Sequence, residues 1–440
     1  MSGSFEPLAG IVTTDLAAIT RGRFVAQSRL AQIACTGVGW IQANLALTAF
    51  SAVVNPNIWG SGGDLRLIPD LNARYRSQST GSQTPFDMIM GNLVEIDGNA
   101  WSGCTRSILR DAAAALQTAT GLSLKVSFEQ EFYLLGEEPE PGHALSFSSL
   151  RRADPLAPQL MSALKEAGLK PEVILAELGP TQFEVSIAPA DPVTAADRAI
   201  AVREITREVA ENLGSKASFS PKPYLDHPGN GVHIHFSLAD EQGRGRTYAE
   251  SGPAQLSPEA ASFCAGLLRH LPALVALTAS SVPSYYRLKP HSWSSSHTWL
   301  AQQDREATLR ICPILAMSEC EPSDQFNIEY RAADATANPY LALAALIHAG
   351  LDGMTGQHKL PPLTNVNPEA LSPDQRRMHQ LEQLPGSLGE SLEKLRADEI
   401  LTGRFPKPLI DSFFAVRHSE LARLEGLDNE AVAELYRNLY

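Results

Sequence analysis

The stretch Val126–Leu134, VSFEQEFYL, decides how the rest of the chain is read. Alternate residues of an extended strand point to opposite faces. Val126, Phe128 and Phe132 therefore share one face, and Glu129 and Glu131 share the other. The first face is fit for a core. The second carries two carboxylates about 7 Å apart. Three further stretches repeat the pattern. In TQFEVSIAP (181–189), Phe183, Val185 and Ile187 oppose Gln182, Glu184 and Ser186. In GVHIHFSL (231–238), Val232, Ile234 and Phe236 oppose His233, His235 and Ser237. In FNIEYRA (326–332), Ile328 and Tyr330 oppose Glu329 and Arg331.

One such face, taken alone, reads most simply as the solvated side of a sheet. Four of them, so short of the Lys, Thr and Gln that usually fill a wet face, read differently. If they converge, their carboxylates repel and cannot all ionise without cations. Oxygen donors with a minority of imidazole suit Mg²⁺ or Mn²⁺ better than zinc or copper. A cationic group accompanies them. Arg287 lies in YYRLKPHSW (285–293), Arg305 and Arg310 lie in DREATLRICP (304–313), and Arg331 follows Glu329 by two residues. Guanidinium forks beside metal-bound carboxylates suit phosphate and carboxylate substrates. Surface ion pairs are the plainer reading of any one of these arginines.

Composition bounds the answer. A chain of 440 residues suits two domains, or one large domain with an appendage. With 44% hydrophobic and 19% charged residues it is globular, and general disorder is excluded. A net charge of −13 makes it a poor partner for nucleic acid. The start, MSGSFEPLAG, lacks the features of a signal peptide, and no stretch reads as approaching the ~18–20 apolar residues of a membrane span. Five scattered cysteines without a CxxC pair point to a reducing cytoplasm, each as a small buried hydrophobe.

Residues 1–105 read as a small strand-rich domain with one helix near 28–37. The glycines at 60–63 lack a following Gly-Lys-Ser/Thr and read as a loop, not a phosphate cradle. Helices are expected at 106–119, at 191–213 with Asp191 as N-cap and Pro192 first, at 338–351, at 387–396 and at 409–424. The chain is thus α+β, with a larger body over 106–440.

These stretches, together with AELGPTQFEV (176–185), GNGVHIHFSL (229–238) and NIEYRAADATANPYLALAA (327–345), stand in the order and approximate spacing of the glutamine synthetase superfamily motifs. GDLRLIPD (63–70) and WSGCTRSILR (101–110) also look like landmarks of that family. The resemblance covers essentially the whole chain. It implies a small β-grasp N-terminal domain and a glutamine-synthetase-type catalytic domain, whose antiparallel strands form a funnel backed by helices. The funnel would hold two or three Mg²⁺ or Mn²⁺ ions. One metal would be held by Glu131, Glu177 and Glu184, and the other by Glu129, His233 and Glu329. The alternation selects all of these except Glu177.

By the same resemblance, Glu172, His235 and Ser237 match nucleotide-contacting positions, and Arg305 and Arg310 match arginines on the nucleotide phosphates. Gly229 and Arg287 match positions that bind glutamate. Arg331 matches the arginine at the reacting carboxylate or its phosphate. The implied reaction uses ATP to turn the γ-carboxylate of glutamate into a γ-glutamyl phosphate, which a neutral amine then attacks. The implied assembly is a homo-oligomer, a dodecamer of two stacked hexamers with active sites between subunits.

The chain departs from the ammonia-using pattern at the flap. Counting from Arg287, the position of the flap glutamate is Trp293, and no carboxylate lies in 291–298. The N-terminal aspartate that completes the ammonium site has no match in the local segment Asn55-Pro-Asn-Ile-Trp59-Gly. Ammonium needs anionic oxygens, whereas an indole offers an apolar or cation–π surface. An organic amine is therefore the expected nucleophile, with ammonia-using glutamine synthetase and an inactive structural or regulatory relative as the alternatives. Asp324 and Asn327 stand where many relatives carry lysine and arginine. Pro228 stands where an asparagine precedes Gly229, which leaves a glutamate analogue open as the acyl substrate.

Overall fold

The computed structural model describes residues 5–136, 143–317 and 319–440; residues 1–4 of the N-terminal stretch read above lie outside it. Residues 8–95 build a five-stranded sheet. Leu8–Thr14 pairs antiparallel with Thr20–Ala26 and parallel with Phe86–Glu95, while Asp64–Ser77 joins Phe86–Glu95 to the edge strand Val38–Ile41. The helix Leu30–Thr36 packs on Asp64–Ser77. A hairpin, a crossing helix and a parallel central pair make this a β-grasp arrangement. Its strands are not all short, contrary to a reading of short strands joined by loops: Asp64–Ser77 runs for 14 residues. A register shift after Pro69, which has no N–H to give a ladder, lets it bend.

Among the described residues the second sheet has eight strands. Their order is Leu300–Gln302, Leu309–Ile311, Ile328–Tyr330, Val232–Ala239, Ser123–Leu135, Gln182–Ile187 and Pro171–Ala176, with Lys216–Ser218 pairing the far end of Ser123–Leu135. Pairing is antiparallel with one exception. Leu300–Gln302 and Leu309–Ile311 run parallel, which corrects the wholly antiparallel funnel. The loop 303–308 carries the chain back along the strand rather than turning it round.

The faces assigned to the core are buried as the alternation requires: Val126, Phe128 and Phe132, Phe183, Val185 and Ile187, Val232, Ile234 and Phe236, and Ile328 with Tyr330. They pack on helices. Pro192–Asn212 lies against Ser123–Leu135, and Phe263 of Pro258–Thr278 meets Phe236 with ring centroids 5.6 Å apart. Thr105–Thr120, Pro339–Thr355, Leu388–Ala397 and Lys407–Leu424 complete the expected helices. Asp191 caps its helix by accepting from Thr194 N, with Pro192 in the first turn. Asn338 caps Pro339–Thr355 by accepting from Tyr340 N and Leu341 N. Its amide also donates to Thr14 O and Asp15 O, tying this helix to the first sheet.

Two readings are corrected here. Pro258–Thr278 is long and apolar enough to cross a membrane by length and composition, contrary to the reading that no stretch approaches this. It is instead a core helix, with 78% of its most apolar window buried. Its Gly266 abuts Pro339–Thr355 so closely that a Cβ would meet Ala349 O at 2.1 Å. Cys35 and Cys320 are exposed, and Cys104, Cys264 and Cys312 alone fit the buried reading.

Candidate active site

Strand register assembles the site. Glu129 sits opposite His233, His235 opposite Glu329, Glu329 opposite Arg310, and Glu131 opposite Glu184. Each pair comes from a different strand, and all project from the face away from the helices. His233 lies at the centre. Its Nδ1 is 3.5 Å from both Glu129 Oε2 and Glu329 Oε1, and its Nε2 is 3.7 Å from Glu131 Oε1. Glu129, His233 and Glu329 each offer one ligand atom within 4.8 Å of the others, and so do Glu131, Glu184 and His233. Glu177 is not in either group. It stands at the edge, where its carboxylate accepts from Leu178 N at 3.1 Å.

The two halves of this cluster differ in charge balance. Burial opposes the charge of Glu129, but His233 and His235 outweigh it and hold the carboxyl well below its usual range. Burial likewise opposes Glu329, and His233, Arg331, His235 and Arg310 bring it to about 2. Glu184 accepts no hydrogen bond among the described residues. Burial, then repulsion from Glu129, Glu131, Glu177 and Glu329, pushes it up to about 9. Burial and Glu131 push Glu177 to about 7 against the pull of Leu178 N–H and Arg305. This half must bind protons or gain a cation. Hard carboxylate oxygens with one shared imidazole fit a hard divalent cation. His235 Nε2, buried 3.3 Å from Glu129 Oε1 and without a hydrogen-bond partner among the described residues, fits the same need.

The arginines frame the cluster. Arg310 donates to Glu329 Oε2 at 2.7 Å, and Arg331 donates to Glu329 Oε1. The Nε of each is buried without a hydrogen-bond partner among the described residues, leaving a spare donor for an anion. Arg287, fully enclosed, is fixed by Ala333 O at 3.0 Å and Arg331 O at 3.1 Å, and burial lowers its pKa from the usual value. Gly229 lies against its stem: a Cβ there would meet Pro221 O at 2.5 Å and Arg287 Cγ at 3.0 Å. The carbonyl of Pro228 accepts from Tyr133 OH at 2.9 Å.

The remaining residues named from the sequence are more scattered. Arg305 is exposed in the loop 303–308. Ser237 lies on the same face as His235, nearer the far end of the strand. Glu172 is exposed at the register shift in Pro171–Ala176, with no hydrogen bond or ion pair among the described residues. Asp324 is exposed on the short helix Pro322–Gln325, whereas Asn327 turns inward and places Oδ1 2.9 Å from His235 Nδ1. Trp293 is 58% exposed on the flap loop, in left-handed backbone, and its carbonyl accepts from Arg331 Nη2 at 3.1 Å.

The sequence reading missed three contributors. Gln182 donates to Gly229 O at 2.9 Å, and Gly231 N donates to Glu131 Oε2 at 2.8 Å. Glu306 accepts from the flap backbone. Alternation marked Gln182 on the polar face, but nothing local could show that Glu306 reaches a loop more than ten residues back.

Residues 102–436 match the family profile "Glutamine synthetase, catalytic domain", and residues 6–101 match "Glutamine synthetase N-terminal domain". The chain belongs to the glutamine synthetase family, whose members are carbon–nitrogen ligases. It is 34% identical to the gamma-glutamylpolyamine synthetase GlnA3 of Streptomyces coelicolor over 97% of this chain and 92% of that one. Among solved structures it resembles a "novel glutamine synthase homolog", with TM-score 0.91 and 40% identity over 99% of each chain. It also resembles a GmaS/ADP complex, with TM-score 0.81 and 25% identity over 96% of this chain and 95% of that one.

Proposed function

We propose that this chain is an ATP-dependent ligase that joins the γ-carboxylate of L-glutamate to an organic amine. The observation that carries the reading is the contrast between the acidic face of the sheet, with its spare arginine donors, and a flap that presents Trp293 where a carboxylate would serve ammonium. The similarity to a polyamine-using relative supports it. The family uses ATP and divalent metal; here Mg²⁺ or Mn²⁺, two or three per site, is the proposed choice, held by Glu131, Glu177 and Glu184 on one side and Glu129, His233 and Glu329 on the other. Bound there, the ions neutralise phosphate charge.

The chain's own groups do the rest. Arg305 and Arg310 hold the nucleotide phosphates, with Glu172, His235 and Ser237 at the nucleotide. Gly229 and Arg287 seat the glutamate so that its γ-carboxylate faces the terminal phosphate in line. One carboxylate oxygen forms a bond to phosphorus, the bond to ADP breaks, and γ-glutamyl phosphate results. Arg331 steadies the charge on the acyl phosphate through both steps. The neutral amine then attacks the acyl carbon, phosphate leaves, and the amine nitrogen sheds a proton. The flap keeps water from the acyl phosphate.

We place the division between a β-grasp domain and the catalytic domain at residues 105 and 106. The enzyme is taken to work in the cytoplasm as a dodecamer of two stacked hexamers. The direct test is phosphate release from ATP, Mg²⁺ and glutamate with ammonium, with a panel of amines, and with neither. Amine-dependent release with little response to ammonium is expected. Strong ammonium activity would transfer the chain to the glutamine synthetases, and silence with every amine would remove the glutamyl-amine reading.

A further inference from the structure

Trp293 and His291 both adopt left-handed backbone, with φ of 52° and 59°. Side-chain-bearing residues adopt that conformation at a cost, so two of them in one short loop need support from outside it. A single carboxylate supplies it. Glu306 Oε1 accepts from Trp293 N at 2.7 Å, and Glu306 Oε2 accepts from His291 N at 3.0 Å. Successive backbone N–H groups turned to one side make an anion cradle, and here a side chain from another loop fills it. Glu306 is itself set by Asp304, whose Oδ1 accepts from Glu306 N at 2.9 Å.

The base of the flap is stitched separately. Ser294 Oγ lies 2.7 Å from Arg287 O and 3.3 Å from Lys289 N. The tip is also joined to the chemistry. The carbonyl of Trp293 meets Arg331, and Arg331 meets Glu329. The loop that carries Glu306 is pinned to that same strand, since Arg331 N donates to Thr308 O at 2.9 Å. Glu306, Trp293 and Arg331 thus form one continuous bracket between the flap tip and the acidic cluster.

We propose that Glu306 is a positioning residue for the amine step: it holds Trp293 over the acyl phosphate, so that amine is captured and water is kept out. The flap has no carboxylate of its own, and Glu306 provides one from loop 303–308 as a structural anchor with both oxygens engaged. The inference rests on the ligase reading above. If Glu306 is lost, water replaces the amine at the acyl carbon. Its oxygen bonds to that carbon, phosphate leaves, and glutamate is regenerated at the expense of ATP.

The test uses the full chain and the variants Glu306→Ala and Glu306→Gln. A glutamine has one acceptor oxygen where the carboxylate has two, so it should keep only part of the bracket. Amide product and phosphate are measured in parallel with the best amine of the panel. Wild type is expected to release about one phosphate per amide. Glu306→Ala is expected to raise KM for the amine roughly tenfold and phosphate per amide several-fold, with KM for glutamate unchanged and Glu306→Gln in between. Acrylamide quenching of tryptophan fluorescence gives a readout apart from turnover, because the other four tryptophans are mostly or wholly covered. Quenching should rise in Glu306→Ala while the melting temperature holds. Wild-type coupling and unchanged quenching in Glu306→Ala overturn the proposal. A wild-type enzyme that makes no γ-glutamyl amide with any amine sinks the ligase reading instead.

Discussion

The acidic face of the large sheet and the flap loop over it are built on opposite principles. On the sheet, residues a strand apart are placed by register, and each side chain's position follows from a ladder of backbone hydrogen bonds. The result tolerates repulsion that would splay a looser structure, and Glu184 stays half-buried among four other carboxyls. The flap tip, 291–293, has no such ladder among the described residues. It is held by Glu306 and by Arg331, and Trp293 stands out towards solvent. The rigid region carries charge management, and the lightly held region carries the choice of nucleophile. Function that must be identical at each turnover sits where register enforces it, and selectivity sits where a few contacts decide.

The largest effect should come from the rigid side. Glu129→Ala removes a proposed metal ligand and the partner of both imidazoles, and phosphate release should fall by on the order of a thousandfold or more, with the melting temperature little changed in metal-free protein. Turnover within threefold of wild type would refute the metal assignment.

Next in size is the pH response of the metal-free protein. Glu184 at about 9 and Glu177 at about 7 lie above the ordinary 4.5 of the unfolded chain. The folded state therefore holds protons that the unfolded state has lost. Stability is highest below about pH 4.5 as far as these groups are concerned, and it falls as pH rises through 7 and towards 9. The slope should be on the order of a kcal/mol per pH unit. Saturating Mg²⁺ should flatten it by replacing the protons, and Glu184→Gln should reduce it without metal. Calorimetric melts from pH 6 to 9, with chelator or Mg²⁺, decide; a metal-free melting temperature that climbs over that range contradicts the charge balance described.

On the flap, Trp293→Glu restores the carboxylate of ammonia-using relatives. The ratio of kcat/KM for amine to that for ammonium should drop about tenfold, equivalent to about 1.4 kcal/mol. An unmoved ratio would show that the indole does not select the nucleophile. The smallest expected change is at Asn327. Its Nδ2 donates to Gln325 O at 2.9 Å, which turns Oδ1 towards His235. Asn327→Ala should raise KM for ATP about fivefold, the worth of one hydrogen bond of about 1 kcal/mol, and leave KM for glutamate alone.

Much of this site is legible in the residues themselves. The alternation in VSFEQEFYL and its three counterparts marks Glu129, Glu131, Glu184, His233 and Glu329 because period two is a local property of extended chain. Glu177 gives no such signal, since it follows the end of Pro171–Ala176 and points by way of a loop. The parallel pairing of Leu300–Gln302 with Leu309–Ile311 was equally hidden, because direction depends on the path of loop 303–308. The apolar run Pro258–Thr278 shows the converse failure. Its composition suits a membrane as well as a core, and only its partner helix decides.

The sequence by itself determined which side chains could share a face, where helices begin at Asp191 and Asn338, and that acid outweighs base along the chain. Those are short-range matters, set by backbone geometry and by each residue's own donors and charges. The tertiary structure alone decided that His233 would stand between the two acidic halves, that Asn327 would orient His235, and that Glu306 would anchor the flap. Such pairings depend on strand order and loop path, which bring together residues far apart in the chain, and no local preference encodes that distance.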